Sequence, residues 1–334
     1  VTTPDPVRAI ADAVLYEGYI LWPYRRSALK NQQRWTFGGV YPRAHSEGRE
    51  DDPWTVRAEL LVEGGPDVGV EVDARFLQVV SRDVSRRMPA GLEPVDELTV
   101  DGERYLSWEE AVEREVALPK HPLGDLERGV SASISVKAGK EIEELGAGDG
   151  AIVRSWRRLQ GALEMRAVPL RDGLHRLSVT VCNTTPWERG PRSAALQRTF
   201  CSTHAVLRMH GGAFVSLADP PPQLATDAAE CSNDGLWPVL VGDGGERGTV
   251  LASPIILEDH PQIAPESPGD LFDGGEIDQM LVLNILSLTD EEKAEMRDSD
   301  PRAREILERT EALSEEELMR LHGAVREFGM ARDG

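Results

Sequence analysis

The feature that most constrains the fold of this chain is a recurring alternation of apolar and polar residues in short runs punctuated by turn residues. In "HRLSVTVCNTT" (175–185), Leu177, Val179 and Val181 share one parity and so line one face of an extended chain. His175 and Cys182 fall on opposite parities, so an ideal strand does not aim them at one ion. Further runs read the same way: "WTVRAELLVEG", "VGVEVDARFLQVVSRDV", "GVSASISVKAG", "AIVRSWRRLQGALEMRAVPL", "ALQRTFCSTHAVLRMHGGAFVSL" and "GTVLASPIILED". Gly, Pro and Asp turns separate them at short intervals, which predicts a sandwich and not βαβ units. The expected fold is mainly β, β-sandwich-like and mostly antiparallel, with an N-terminal helix and a C-terminal helical segment.

Local signals fill in this outline. The first two runs flank "GGPD" and predict an antiparallel pair. "LTVDGERYLSWEEAVEREV" carries a D-G turn, then Ser107-Trp-Glu-Glu110, a capping-box spacing that predicts a brief helix or turn. "GAGDG" (146–150) and "VGDGGERG" (241–248) are glycine-rich but lack the P-loop spacing, and read as hairpin turns. At the N-terminus Asp5 is a natural cap, Pro6 suits the first helical position, and Ile10, Val14 and Leu15 share a face of a helix that stops near Gly18. After Pro261 a proline- and glycine-rich acidic connector leads into helical patterns over 276–330, with Thr289 or Asp290 and Ser314 as N-caps. The chain divides into 1–50, a β-rich body over 51–260 with a possible subdomain break near 125–150, and 261–334.

Composition narrows the classes. A formal charge of −21 over 334 residues argues against nucleic-acid binding, which needs a broad basic footprint. No apolar run approaches the ~18 residues of a membrane span. "VTTPDPVRAI" lacks the regions of a signal peptide, so the expected location is cytoplasmic. The 3 cysteines, Cys182, Cys201 and Cys231, suit reduced thiols better than a disulfide framework.

Residues 16–41 stand apart. Four of the 5 tyrosines lie there, and no acidic residue occurs between Glu17 and Glu47, while Arg25, Arg26, Lys30, Arg34 and Arg43 do. Tyr, Trp and Arg are the residue types enriched in interface hot spots. Tyr19, Trp22, Tyr24, Arg25, Arg26, Lys30, Arg34 and Trp35 are therefore the candidate partner-binding residues. The bland alternative is that the aromatics plug the sandwich and the cations neutralise the chain's own acidic tail.

No cofactor is predicted outright. Cys201 and His204, with Cys231, His260 or His210 as later ligands, form the sharpest metal candidate, and thiolate with imidazole suits zinc, nickel or iron. Cys201 and His204 fall on opposite faces of an ideal strand unless a bulge intervenes. Glu258, Asp259, Glu266, Asp270, Asp273, Glu276 and Asp278 crowd one loop without the spacing of a calcium loop. A hydrolase with dispersed carboxylates also stays open.

Two places resemble a known group. "ADAVLYEGYILWPYRRSALKNQQRWTFGGVYP", and the phrases "STHAVLRMHGGAFVSLADPP", "LWPVLVG" and "LASPIILEDHPQIAPESPGDLFDGGEIDQMLVLNILSLTDEEK", resemble accessory proteins encoded in gene clusters of high-affinity uptake NiFe-hydrogenases. That resemblance implies a role near hydrogenase assembly, maturation or scaffolding, with a hydrogenase subunit or maturation factor as partner. It supplies no catalytic residues. A non-catalytic assembly factor is the preferred reading, with a metal carrier or metalloenzyme and a hydrolase as the alternatives.

Overall fold

The computed structural model describes residues 10–11, 38–261, 288–290, 293–294, 297, 304, 307–308 and 310–312. In chain order its strands are β1 (Thr55–Glu63), β2 (Gly69–Met88), β3 (Gly91–Val95), β4 (Glu97–Val100), β5 (Glu103–Leu106), β6 (Trp108–Pro122), β7 (Val130–Val136), β8 (Gly139–Leu145), β9 (Gly150–Trp156), β10 (Leu159–Arg171), β11 (Leu174–Asn183), β12 (Cys201–His210), β13 (Ala213–Phe214), β14 (Trp237–Leu240) and β15 (Thr249–Ser253). Short helices α1 (Arg43–Ser46), α2 (Arg192–Leu196) and α3 (Ala225–Ala229) and a 3-10 turn at Leu123–Arg128 decorate them.

β4 and β5 pair with each other alone, and the other strands form two mostly antiparallel sheets, as the alternation predicts. One has the order β13-β1-β11-β10-β7, and the other β14-β15-β12-β2-β9-β8. The 20-residue β2 is the spine of the second sheet, pairing with β12 and then β9 along one side and with β6 and then β3 along the other. The main apolar core fills the space between the sheets: Ala58 and Leu60 of β1, Val72 and Phe76 of β2, and Leu177 and Val179 of β11 are all at most 1% exposed. Phe76 stacks on Phe200 with ring centroids 4.5 Å apart. Each such side chain contributes about 1.5–3 kcal/mol by leaving water, which is why parity dictates facing.

Two local expectations give way to long-range pairing. β1 and β2 are strands, but they do not pair with each other: β1 pairs with β11 and β13, and the "GGPD" segment carries the chain from one sheet to the other. Residues 108–122 form β6 and not a helix, pairing with β2 from Arg82↔Trp108 to Gly69↔Pro122. The Ser107 hydroxyl caps nothing. It accepts from the Val84 amide at 2.8 Å and donates to the Val95 carbonyl at 2.6 Å, tying strands together. Glu110, which the capping-box reading places in a first turn, instead meets Arg82 across the ladder, and Glu113 meets Arg75.

Other local readings agree with the structure. Asp101 (φ 54°) and Gly102 (φ 85°) make the tight turn between β4 and β5, in the left-handed region that such two-residue turns require. The two glycine-rich segments join β8 to β9 and β14 to β15 as hairpins. Ile10 and Ala11 are helical and buried against Val206, Val239 and Leu251. Thr289 accepts the Lys293 amide at 2.9 Å, the backbone role of an N-cap, and Leu307 is helical and buried. No helix among the described residues is long and apolar enough to cross a membrane.

Candidate functional site

The proposed partner-binding residues Tyr19, Trp22, Tyr24, Arg25, Arg26, Lys30, Arg34 and Trp35 lie outside the described residues. The thiol and imidazole candidates are all described. Across the β2–β12 ladder Cys201 faces Leu77 and His204 faces Arg75, so Ser202 and Thr203 together oppose Phe76. That is a β-bulge, with Ser202 at φ 51°, and it puts Cys201 and His204 on one face. The remaining candidates stay elsewhere. Cys201 is fully buried among Tyr41, Leu77 and Val79, on the outer side of the β2 sheet, and burial holds its thiol well above the ordinary range. His204 Nδ1 bonds the Ser202 carbonyl at 3.1 Å. Cys231 packs with Leu61 and Leu174 on the outer side of the other sheet, where burial pushes its thiol up to about 11. His260 sits beside β14, its Nδ1 3.2 Å from the Gly242 carbonyl. Among the described residues, no three His, Cys, Asp or Glu side chains group as a metal site would need. Asp259, from the acidic loop, accepts the Leu240 amide at 2.8 Å and also bonds Ser216.

A second polar cluster has no signal in the sequence. His45 Nε2 lies 2.9 Å from Asp52, Arg192 Nη2 donates to Asp52 at 2.9 Å, and Arg192 also bonds the Tyr41 hydroxyl. The Tyr41 and His45 rings stack at 5.3 Å, and Trp187 meets His45 edge-on at 5.6 Å. Burial alone would raise the Asp52 carboxyl, but hydrogen bonds from Arg192 and His45 outweigh it and hold it below the ordinary value. Burial raises the Tyr41 hydroxyl far more than Arg192 lowers it. His45 is 2% exposed, Asp52 5% and Tyr41 1%, so no substrate reaches the pair. The cluster clamps the segment around α1 to α2 at one end of the sandwich.

Among the described residues a concave surface open to a ligand lies on the outer face of the five-stranded sheet and encloses about 710 Å³. Parity builds it. Ser178 and Thr180 alternate with the core residues Leu177, Val179 and Val181 of β11, and Glu164 and Arg166 alternate with Leu163, Met165 and Ala167 of β10. Arg57 joins from β1, where it pairs with Glu59, and Asp234 lies alongside. Arg128 and Ser131 complete the rim at the start of β7. Arg166 Nε donates to the Glu127 carbonyl at 3.1 Å, and neither Arg166 nor Arg128 has a carboxylate partner among the described residues. The lining thus offers guanidinium and hydroxyl donors to a polar ligand, and it contains no histidine or cysteine. No family model, curated protein or solved structure matches the chain.

Proposed function

We propose that this chain is a non-catalytic accessory protein that binds a polypeptide partner, in the assembly, maturation or scaffolding of a NiFe-hydrogenase. One observation carries the binding part of this reading: the open groove presents Arg57, Arg128 and Arg166 with the hydroxyls of Ser131, Ser178 and Thr180, beside the carboxylates of Glu164 and Asp234. The buried thiols are held protonated by their surroundings, which suits packing better than attack. Residues that grip through several Arg and hydroxyl donors favour an acidic, hydrogen-bonding partner. The hydrogenase context rests on the sequence resemblance.

The test is affinity capture of the tagged full chain from cells expressing a NiFe-hydrogenase gene cluster, at low and moderate salt. A hydrogenase subunit or maturation factor should be retained by the wild type and lost from an R128E/R166E variant of native stability. An R25E/R26E/R34E variant tests the N-terminal basic segment in the same way. Capture of no hydrogenase component by the wild type would sink the reading.

A further inference from the structure

We propose that β7 is a strand-addition site whose occupant is an extended, acidic segment of a separate partner protein. The inference deepens the polypeptide-binding reading above and rests on it.

The backbone register carries the first step. The Thr184 amide donates to the Gln160 carbonyl at 2.9 Å, and the Gln160 amide donates to the Thr185 hydroxyl at 2.8 Å. Gln160 therefore spends both its backbone groups on the β11 side. Alternation then aims Leu159, Gly161, Leu163 and Met165 of β10 at β7, where they face Val136, Ile134, Ala132 and Val130. The amides and carbonyls of Ser131, Ser133 and Ser135 consequently point away from β10, and no partner strand pairs with them among the described residues.

The second step is chemical. Proteins blunt sheet edges with charge, proline or brevity, because unpaired amides invite another chain. The other edges here follow that rule. β13 has 2 residues, β14 has 4 and contains Pro238, and β3 contains Pro94. β6 carries Glu109, Glu110, Glu113 and Glu115, and β8 carries Lys140, Glu141, Glu143 and Glu144. β7 is 7 residues of "VSASISV", with no charge, no proline and no bulge in its pairing with β10. Its apolar residues face the core, and Ser131, Ser133 and Ser135 are exposed.

Charge selects the occupant. Arg128 stands just before β7, Lys137 just after it, and Arg166 on the neighbouring strand, all without carboxylate partners among the described residues. Within a chain of net charge −21, such a frame favours a strand bearing Asp or Glu at the facing positions. Glu164, opposite Ser131, sets one position where the added strand should carry no acid. A second copy fits badly. Antiparallel self-pairing centred on Ser133 would bring Lys137 of each copy against the Arg128–Gly129 corner of the other, like charge against like at both ends.

The experiment selects short random displayed peptides on the full chain. Enriched peptides should alternate apolar with acidic residues. They should bind S133A like the wild type, and S133P, which removes an outward amide without breaking a bond to β10, at least about tenfold more weakly. An R128E/K137E variant should weaken them too, and their addition should slow amide exchange at Ser131, Ser133 and Ser135. Circular dichroism confirms that each variant keeps its fold, and the exchange readout on wild type needs no variant at all. Undiminished binding to S133P, enrichment of no acidic alternating peptide, or dimerisation through this edge would overturn the proposal. So would amides already protected in the unliganded chain, which would mean that its own tail covers the edge. If S133P still captures a hydrogenase subunit, the edge assignment fails alone. If the peptides bind as expected while the wild type captures no hydrogenase component, the hydrogenase reading fails alone.

Discussion

β7 and β8 are consecutive strands of 7 residues each, joined by Lys137 and Ala138, and each ends its sheet. Topology treats them alike. Their side chains do not: "GKEIEEL" surrounds its open edge with ammonium and carboxylate groups, whereas "VSASISV" surrounds its own with hydroxyls. A strand approaching β8 must desolvate or repel charge along the strand itself, and one approaching β7 meets charge only at its ends, at Arg128 and Lys137. Side-chain chemistry, and not position at a margin, decides which edge of a sheet can accept a partner.

The isoleucines at their centres differ as well, and this difference gives the largest expected effect. Ile134 of β7 is 5% exposed in the main core, while Ile142 of β8 is 52% exposed. Ile134→Ala should therefore cost about 2–4 kcal/mol in urea denaturation, and Ile142→Ala should stay within about 0.5 kcal/mol. Equal costs would mean that β7 is held no more firmly than β8, and a strand so weakly docked could not present a fixed edge.

The next contrast lies within β7. Ala132 spends its amide on β10 and Ser133 does not, so Ala132→Pro should cost about 2–3 kcal/mol and Ser133→Pro less than about 1 kcal/mol. Thermal unfolding of the two variants side by side decides it. The reverse order would show that the outward register deduced from Gln160 is wrong.

How much of this was legible in the sequence follows from the range of the interactions. Alternation announced β7, β11 and the inward set Leu177, Val179 and Val181, because burial acts on each residue separately. Turn chemistry announced Asp101-Gly102 and both glycine-rich hairpins for a similarly local reason. Pairing partners were not legible: the "GGPD" segment looks like a hairpin, yet β1 finds β11 more than a hundred residues away, at Thr55↔Cys182. Ser107 shows the same competition, since a capping-box spacing yielded to a ladder along the whole of β6. Of the candidate site, the outward Ser178, Thr180, Glu164 and Arg166 could be read from parity, but not the concavity that makes them a groove. The clamp between Asp52 and Arg192 spans 140 positions and leaves no local pattern.

The smallest stability effect gives the most direct trial of the edge comparison, because it asks whether β8 can be made to behave like β7. Replacing Lys140, Glu141, Glu143 and Glu144 together by Ser turns "GKEIEEL" into "GSSISSL", a near copy of the β7 pattern. The change breaks two ion pairs, Glu143–Arg154 and Glu144–Arg87, whose side chains are all at least 30% exposed. Pairs so exposed contribute little, so the whole set should cost no more than about 1 kcal/mol. The net charge moves only from −21 to about −19, too little to explain association by relief of overall repulsion. The stripped edge should nevertheless make the protein self-associate as its concentration rises in sedimentation velocity, since a serine-lined strand no longer repels its own copy as the flanking Arg128 and Lys137 do at β7. A strictly monomeric quadruple variant would show that charge is not what keeps β8 closed to other strands, and the chemical contrast between the two edges would lose its force.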